Sequence, residues 1–302
     1  MKKHVIKKPK SLSGVIRRKV EKPKSKTDDQ PRSEQLQPYT ILNPVEQGSY
    51  GHVSRALHTS SGQIVAIKRL KASPSTASEG VPLTVVREIK CLQLLEGSEH
   101  VVKLIDVISS PLQLVLEFCE HDLKSILNTH TSPFGLSAVK RIVKDILTGL
   151  EFIHSHGVIH RDIKPANLLY TQGRVTKIAD FGLARLVEKD AEYTREVVSL
   201  WYRAPEVLRG EKYAESIDIW AVGCVAKELD TGKVLLRGRN EIEQLDLCNH
   251  VADKISGNAF LQSVFTERLS AAELLYSDYF SQDPAPKERL LMPTFPSRAS
   301  GD

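Results

Sequence analysis

The sequence has few of the features that mark disulfide-rich, zinc-binding or membrane proteins. Its 302 residues include only four cysteines, and no two of them form a CxxC pair, which argues against a zinc module or a disulfide framework. The longest apolar stretches, near residues 112–118 and 217–225, are interrupted or too short to cross a bilayer. The charged N-terminus is followed by no continuous apolar segment, so we expect no secretory signal. The composition therefore favours a protein of a reducing compartment without a membrane segment.

Excess positive charge is confined to the N-terminal tail. Residues 1–38 contain 12 Lys and Arg against four Asp and Glu, whereas the other 264 residues contain 30 against 33. The tail has almost no aromatic residues and is rich in Lys, Ser, Pro and Gln, so we expect it to be disordered, because it has too little apolar surface to offset chain entropy. Its two basic clusters are consistent with a nuclear address, a polyanion contact or a solubilising tail. We expect no other contact with nucleic acid.

The order of the predicted elements indicates an α+β fold with two lobes. Up to about residue 110, short β-rich runs alternate with turns, and one amphipathic helix over residues 82–95 interrupts them. Farther along, an amphipathic helix covers residues 139–153, and an almost wholly apolar helix runs through residues 218–226.

These elements divide the chain into regions. We expect a small β-rich lobe at residues 39–118 and a larger helical lobe at 119–280, followed by a C-terminal tail at 281–302. Ligands commonly bind in a cleft of the kind that two such lobes enclose.

A glycine-rich turn lies between two β-rich runs at residues 47–53. Gly48 and Gly51 would let backbone amides approach a phosphate closely. Alone, the segment is equally consistent with a plain hairpin turn. The GxGxxGxV pattern of nucleotide-binding loops would place a glycine at position 46, where this chain has Glu46. A carboxylate there would lie near the phosphates and weaken nucleotide binding.

The strand sequence ValAlaIleLys ends in Lys68, whose ammonium can hold nucleotide phosphates as a point charge. The helix that starts near Pro82 carries Glu88, a carboxylate that can pair with Lys68 and fix its position. Either residue alone would be interpreted as an ordinary surface charge. Their order and the flanking motifs favour a functional pair.

The segment HisArgAspIleLysProAlaAsn at 160–167 is followed by AspPheGly at 180–182 and TrpTyrArgAlaProGlu at 201–206. These blocks match the catalytic loop, metal anchor and activation segment of protein kinases. Asp162 would orient the acceptor hydroxyl and Lys164 would stabilise charge near the transferred phosphate. Asn167 and Asp180 offer the oxygen ligands that Mg²⁺ prefers.

Over roughly residues 39–280 the chain resembles the cyclin-dependent protein kinases. The resemblance rests on residues 79–88, on GluHisAspLeuLys at 120–124 and on residues 193–206. The first of these segments is most similar to the cyclin-contacting helix of the PITSLRE-type subgroup, which is associated with transcription and RNA processing. The implied fold is the two-lobed protein kinase fold, and the implied reaction is transfer of the ATP γ-phosphate to Ser or Thr before Pro.

The resemblance also implies roles for further residues. Leu116 matches the gatekeeper, Glu117 and Cys119 match the hinge whose backbone binds adenine, and Asp122 matches the rim near the ribose. The residues implied to bind ATP are Val45, Glu46, Gln47, Gly48, Ser49, Tyr50, Gly51, His52, Val53, Ala66, Lys68, Glu117, Cys119, Asp122 and Leu169.

Regulation is implied at two places. Thr194 matches an activation-loop phosphosite on which another kinase would act, and Arg87, Arg161 and Arg185 match the arginines that clamp the phosphate. Ser49 and Tyr50 match the inhibitory phosphosites of the glycine-rich loop.

Val197 and Val198 match the positions that favour proline after the phosphoacceptor. A cyclin is the implied activator, and without it the helix that carries Glu88 would be expected to swing away.

The chain departs from the family pattern in the large lobe. Only 21 residues separate Leu245 from Glu267, where the family has several tens more. Arg268 still matches the family arginine that pairs with Glu206, so the far end of the lobe is expected to be retained with its support cut. A reduced lobe, a shortened isoform or an error in the gene model would each give this pattern.

The motif residues and the resemblance together predict a magnesium-dependent serine/threonine protein kinase of cyclin-dependent type. We expect it in the nucleus, and an additional cytoplasmic location stays open. The alternative is a catalytically silent kinase-like scaffold that binds a cyclin or a substrate. Glu46 and the shortened lobe favour the scaffold, whereas the complete set of charged motif residues favours the enzyme.

Overall fold

A six-stranded antiparallel sheet forms the small lobe. The computed structural model describes residues 35–36, 38–48, 51–70, 82–130, 134–187 and 199–296. Within them the strand order of this sheet is β1-β2-β3-β4-β6-β5. The strands are β1 (Gln35–Leu36), β2 (Tyr39–Gly48), β3 (Gly51–His58), β4 (Ile64–Leu70), β5 (Leu104–Ser109) and β6 (Leu112–Glu117).

One face of this sheet buries a compact apolar cluster that includes Tyr39, Val65, Ile67 and Val115. Ile67 pairs directly with Val115 across β4 and β6, so their side chains lie on one face. Since side chains alternate between the faces of a strand, Lys68, the next residue along β4, points to the opposite face.

Helix α1 (Leu83–Leu94) follows β4 in the chain and begins immediately after Pro82, close to the predicted bounds of 82–95. It buries Val85, Cys91 and Leu92 at helical spacing, and it buries Glu88 on the same side. The helix packs against the turn at Phe181–Leu183 of the large lobe. It therefore reaches from the sheet to the segment that begins with Asp180.

The large lobe is mainly helical, as predicted. Its helices are α2 (Leu123–Thr129), α3 (Leu136–Ser155), α4 (Pro205–Arg209), α5 (Ser216–Thr231), α6 (Glu241–Asn249), α7 (Val251–Ile255), α8 (Ala259–Gln262) and α9 (Ala271–Leu275). Short strands pair near the lobe boundary, and they are β7 (His121–Asp122), β8 (Val158–Ile159), β9 (Leu168–Tyr170), β10 (Thr176–Ile178) and β11 (Arg185–Leu186). Within the described part of the chain, no helix is long and apolar enough to span a membrane.

The helices α3 and α5 form the centre of the large lobe. Helix α3 ends at Ser155, with His156 as its C-cap, and Gly157 follows with φ of 67°, the left-handed conformation that glycine adopts without strain. Helix α5 is buried over most of its length, as its apolar sequence predicts. It carries one buried acid near its start, Asp218.

The short connection between Leu245 and Glu267 folds onto α5. It contains α7, α8 and a π-helical turn at Ser263–Glu267, which buries Val264 and Phe265. The Phe265 ring lies 4.7 Å from the Trp220 ring of α5 in an edge contact. The expectation that Arg268 loses its support is therefore wrong. The residues just before Arg268 pack on α5 and provide that support.

Candidate active site

The glycine-rich segment is the end of the β2–β3 hairpin. Gly48 pairs with Gly51 across the two strands, and Glu46 pairs with Val53. The register shifts between Pro44 and Glu46, an irregularity that displaces the strand locally. The predicted phosphosites Ser49 and Tyr50 lie outside the described residues. At positions 46–48 and 51 the backbone is described but the side chains are not.

The remaining small-lobe residues implied to bind ATP lie on adjacent strands. Val45 and His52 are exposed, whereas Val53 and Ala66 are partly buried. Val53 lies opposite Lys68 in the β3–β4 pairing, so these two side chains share one face of the sheet. Strand register therefore places Val53 beside the charged centre described next.

Lys68 lies between two carboxylates. Its Nζ donates to Glu88 Oε1 at 2.7 Å and to Asp180 Oδ1 at 3.0 Å. Burial disfavours the charged ammonium, but the charges of Glu88 and Asp180 outweigh this effect and hold the pKa of Lys68 above its ordinary value. The side chain thus stays cationic at neutral pH and joins β4, α1 and the large lobe.

The predicted pairing of Lys68 with Glu88 is present in the single chain. Glu88 is only 4% exposed, and α1 lies in its inward position. The expectation that α1 swings away without a partner is therefore not met in this structure. Packing of α1 against the Phe181–Leu183 turn accompanies the inward position.

Asp180, one of the two predicted metal ligands, has an unusual backbone conformation. Its φ is 67°, the left-handed region that residues other than glycine rarely adopt. Burial works to raise the pKa of Asp180, but the charge of Lys68 and its hydrogen bond outweigh burial, so that the pKa lies below its ordinary value. The carboxylate is therefore ionised at neutral pH and suited to a cation.

The catalytic-loop residues converge on the carboxylate of Asp162. Lys164 Nζ donates to Asp162 Oδ2 at 2.7 Å, and Asn167 Nδ2 donates to the same oxygen at 2.8 Å. Asn167 Nδ2 also donates to the backbone oxygen of Asp162 at 2.8 Å. The other carboxylate oxygen, Asp162 Oδ1, is buried and has no hydrogen-bond partner. An acceptor fixed in this way is free to receive one further donor, such as a substrate hydroxyl.

A buried acid that the sequence analysis missed holds this loop in place. Asp218 of α5 accepts hydrogen bonds from the backbone nitrogens of His160 at 2.9 Å and Arg161 at 2.8 Å. It also accepts from His154 Nε2 at 3.0 Å. Three donors on one carboxylate lock the start of the catalytic loop to the core. The signal was present in the sequence, since an Asp among the apolar residues of the first half of α5 must be paired if it is buried.

The donor set fits a Mg²⁺ ion together with nucleotide phosphates. Asn167 uses its amide nitrogen on Asp162, which orients the amide so that its carbonyl oxygen faces away from these bonds. With Asp180 it offers one carbonyl and one carboxylate oxygen, the small protein share typical of phosphate-bound magnesium. No group of three or more His, Cys, Asp and Glu that could hold a metal ion occurs among the described residues, so these residues do not form an all-protein metal cage.

Three arginines lie close enough together to affect one another's titration. Burial first, and then the charge of Arg161, lower the pKa of both Arg87 and Arg185, and Arg87 adds to the effect on Arg185. Arg161 itself is 1% exposed and donates from Nε to the Leu183 backbone oxygen at 2.8 Å. The three arginines of the predicted phosphate clamp therefore lie near one another, whereas Thr194 lies outside the described residues.

The hinge side of the cleft contains the remaining predicted residues. Leu116 and Glu117 end β6, and the Glu117 carboxylate accepts from Lys177 Nζ at 3.0 Å and from the Lys103 backbone nitrogen at 2.7 Å. This ties the end of the small lobe to β10. Cys119 is partly buried, and burial raises the pKa of its thiol well above the ordinary range.

Asp122 has a structural task in addition to its predicted place near the ribose. One of its carboxylate oxygens accepts from the Ser125 backbone nitrogen at 2.7 Å and caps the N-terminus of α2. Leu169 on β9 is partly buried and packs against the main core. The structure places both residues on the elements that immediately follow the hinge and the catalytic loop.

Arg268 pairs with Glu206 as predicted. The Arg268 guanidinium contacts the Glu206 carboxylate and also donates to the Ser216 backbone oxygen at 3.3 Å. It lies 5.1 Å from the Trp220 ring centre. The end of the activation segment is therefore anchored to the shortened part of the lobe.

The sequence matches a family described as the protein kinase domain over residues 39–285. Cell division control protein 2 homolog 3 of Trypanosoma brucei brucei is 44% identical over 216 residues, which cover 70% of this chain and 68% of that protein. Serine/threonine-protein kinase ppk23 of Schizosaccharomyces pombe is 37% identical over 311 residues, 87% of this chain and 77% of that kinase. Cyclin-dependent kinase 9 of Homo sapiens is 40% identical over 242 residues, 75% of this chain but 64% of the human protein.

Proposed function

The chain belongs to the protein kinase family, as a serine/threonine kinase of cyclin-dependent type, and from this we propose that it transfers the γ-phosphate of ATP to Ser or Thr before Pro with the help of Mg²⁺. The observation that carries the proposal is the unpartnered Oδ1 of Asp162, held beside Lys164 and Asn167. This oxygen would accept the hydrogen bond of the substrate hydroxyl and orient it for attack.

The other charged residues have separate tasks in this proposal. Lys68, positioned by Glu88, binds nucleotide phosphates, and Lys164 stabilises the charge that develops near the transferred group. Asn167 and Asp180 would hold Mg²⁺, which supplies neutralisation of phosphate charge when bound. Such positioning and charge stabilisation account for most of the catalysis in phosphoryl transfer.

We propose a cyclin as the activating partner. Leu83, at the start of α1, has 78% of its surface exposed, while Glu88 on the same helix is buried. A partner that covers Leu83 would gain apolar contact area and hold α1, and therefore Glu88, in the inward position. An activating kinase would modify Thr194, and the phosphate would bind the cluster of Arg87, Arg161 and Arg185.

The proposed cellular role rests on the name of one relative and on two features of the sequence. One relative is named for control of cell division, and residues 79–88 resemble the PITSLRE-type helix, whose kinases are associated with transcription and RNA processing. We propose a role in one of these two processes and a nuclear location, for which the basic clusters of residues 1–38 are the support.

The test is a phosphorylation assay on the chain purified with candidate cyclins. Radiolabelled ATP is supplied with a SerPro peptide, and Asp162→Asn provides the control that keeps the size of the side chain. Incorporation by the wild type that Asp162→Asn lacks supports the proposal. A cyclin that raises the melting temperature of the chain without any incorporation would favour the scaffold instead.

A further inference from the structure

Residues 282–296, which we call the C-terminal strap, continue the fold past the large lobe. The family match ends at residue 285, so most of the strap lies beyond the part of the chain that the family defines. One short 3₁₀ turn, at Arg289–Leu291, is the only regular element of these described residues. Met292 is nevertheless buried in the main core, so the strap is a fixed part of the structure.

Helix α3 holds the first half of the C-terminal strap. Lys140 Nζ donates to the Gln282 backbone oxygen at 2.8 Å, and Arg141 Nε donates to the Lys287 backbone oxygen at 2.7 Å. The Lys287 nitrogen donates to the Ser137 backbone oxygen at 2.9 Å. Backbone atoms of the strap are thus bound at two separate points, which fixes its path along α3.

A bidentate ion pair holds the middle of the C-terminal strap. Arg289 Nη1 and Nη2 donate to the two carboxylate oxygens of Glu99, both at 2.7 Å. The hydrogen bond from Arg289 holds the pKa of Glu99 below its ordinary value, so the carboxylate is ionised at neutral pH. Glu99 lies in the connection between α1 and β5. Paired in this planar geometry, Arg289 gives the strap a defined direction as it leaves α3.

The end of the C-terminal strap is seated among four rings. Centre-to-centre distances of 5.1 to 6.0 Å separate the Phe295 ring from those of His121, His130, Phe134 and Tyr170. The Tyr170 hydroxyl donates to the Pro293 backbone oxygen at 2.8 Å, and His121 Nε2 donates to the Phe295 backbone oxygen at 3.2 Å. Burial raises the pKa of Tyr170 to about 12, so its hydroxyl remains a donor at neutral pH.

The two residues that bind the strap backbone face each other in a two-stranded ribbon. His121 of β7 pairs with Tyr170 of β9, and the next pair is Asp122 with Leu169. Direct partners share a face of a sheet, and successive residues point to opposite faces. The strap therefore contacts one face of the ribbon, while the pair implied to bind ATP lies on the other. Strand β9 also begins immediately after Asn167, so the ribbon is continuous with the catalytic loop.

We propose that Tyr170 and Phe295 are positioning residues for the nucleotide, because through them the C-terminal strap holds the β7–β9 ribbon whose opposite face receives ATP. The inference rests on the proposed kinase function. A ribbon that is already held does not have to be ordered when the nucleotide binds, and the avoided cost appears as affinity. Asn167 keeps its own hydrogen bonds to Asp162, so loosening the strap affects nucleotide binding more than kcat.

The test compares Tyr170→Phe and Phe295→Ala with two matched controls. Tyr276→Phe removes a hydroxyl from a side chain that is 92% exposed, and Leu291→Ala removes an apolar side chain of the strap that is 64% exposed. Phe295→Tyr retains the ring and serves as the conservative variant. Calorimetry on the full chain with its cyclin gives the affinity for ADP with Mg²⁺. The values of kcat and of KM for ATP and for a SerPro peptide are measured on the same samples.

We expect Tyr170→Phe and Phe295→Ala each to weaken ADP binding and to raise the KM for ATP about fivefold, the effect of losing about one hydrogen bond. Both controls and Phe295→Tyr should stay within about twofold of the wild type, as should kcat and the peptide KM of all variants. ADP affinity within about twofold of the wild type in both positioning variants would overturn the inference. An equal rise in the two KM values would also overturn it, because general loosening of the lobe would cause that result. If one positioning variant does not fold, the other decides.

ADP binding also separates this inference from the proposed function, since it requires no phosphoryl transfer. A wild-type complex that binds ADP but does not label the SerPro peptide would contradict the kinase proposal alone. Weaker ADP binding by the two positioning variants would still support the role of the strap. A wild type that labels the peptide, beside positioning variants with unchanged ADP affinity, would contradict the strap inference alone.

Discussion

Lys68 in the small lobe and Asp180 in the large lobe form a direct ion pair, with 3.0 Å between Nζ and Oδ1. Because Glu88 holds the same ammonium at 2.7 Å, three elements that are distant in sequence meet at one charge. This contact joins the two sides of the cleft. The nucleotide phosphates and the metal are expected to bind at the same place.

We expect Lys68→Arg to be nearly as inactive as Lys68→Met. A guanidinium is larger and planar, so it cannot occupy the compact position between Glu88 and Asp180. Loss of about 100-fold in kcat/KM is expected from either change. Steady-state kinetics on the complex with its cyclin provide the measurement, and Lys103→Arg, a surface change near the hinge, is the control. Activity of Lys68→Arg within about threefold of the wild type would show that the ammonium geometry is unimportant.

Asp218→Asn should destabilise the protein by about 3 kcal/mol at neutral pH, since a buried acceptor of three hydrogen bonds is replaced by a group that also carries donors. Chemical denaturation monitored by circular dichroism gives the value. The same variant should lower catalytic activity, because the catalytic loop begins at the two backbone nitrogens that Asp218 holds.

The contribution of Asp218 to the stability of the folded protein should also depend on pH. Burial works to raise the pKa of Asp218, but the hydrogen bond and charge of His154 outweigh it, so that the pKa in the folded protein lies below the ordinary value. A lowered pKa contributes stability that is present above the unfolded pKa of about 3.9 and is lost as the pH falls through the folded pKa. The stability gap between wild type and Asp218→Asn should therefore shrink as the pH falls below about 4. A gap that widens toward low pH would contradict the assignment.

Phosphorylation of Thr194 should stabilise the wild type by about 2 kcal/mol, because a phosphate would neutralise arginines that now repel one another. Arg185→Ala should remove most of this gain. Arg239→Ala, which changes an arginine paired with Glu243 on the exposed surface, should retain it. Thermal unfolding of the phosphorylated and unphosphorylated forms of each variant provides the comparison. An equal gain in wild type and Arg185→Ala would exclude the cluster as the phosphate site.

Leu83→Asp should weaken cyclin binding at least about tenfold without changing the melting temperature of the free chain, because the side chain is exposed and would become buried only in the complex. Affinity measured by calorimetry tests this. Leu290→Asp alters a leucine that is 81% exposed in the C-terminal region and serves as the control. Equal losses of affinity in the two variants would place the cyclin contact elsewhere.

The sequence predicted well those features that depend on local pattern. Helix α1, the long helix α3 and the buried helix α5 follow from hydrophobic spacing, and the pairing of Lys68 with Glu88 follows from motif order. The pairing of Arg268 with Glu206 was predicted from the resemblance and is also present. In each case the deciding information lies within a few residues or within a motif that specifies its partner.

Other features depend on packing between distant segments and could not be derived in the same way. The support of Arg268 was predicted to be cut, but Val264 and Phe265 of the short connection pack on α5 and provide it. The capping role of Asp122 and the anchoring role of Asp218 were missed, because a single acid does not reveal which backbone amides will face it. The inward position of α1 likewise involves a contact between the two lobes.

The most direct test of the proposed chemistry is incorporation of radiolabelled phosphate from ATP into a SerPro peptide by the complex of the chain with its cyclin, beside Asp162→Asn. If Asp162 Oδ1 orients the acceptor hydroxyl, the wild type will label the peptide, and Asp162→Asn will be at least about 100-fold slower while binding ATP equally well. Equal labelling by the two proteins, or none by the wild type with ATP and cyclin bound, would contradict the account.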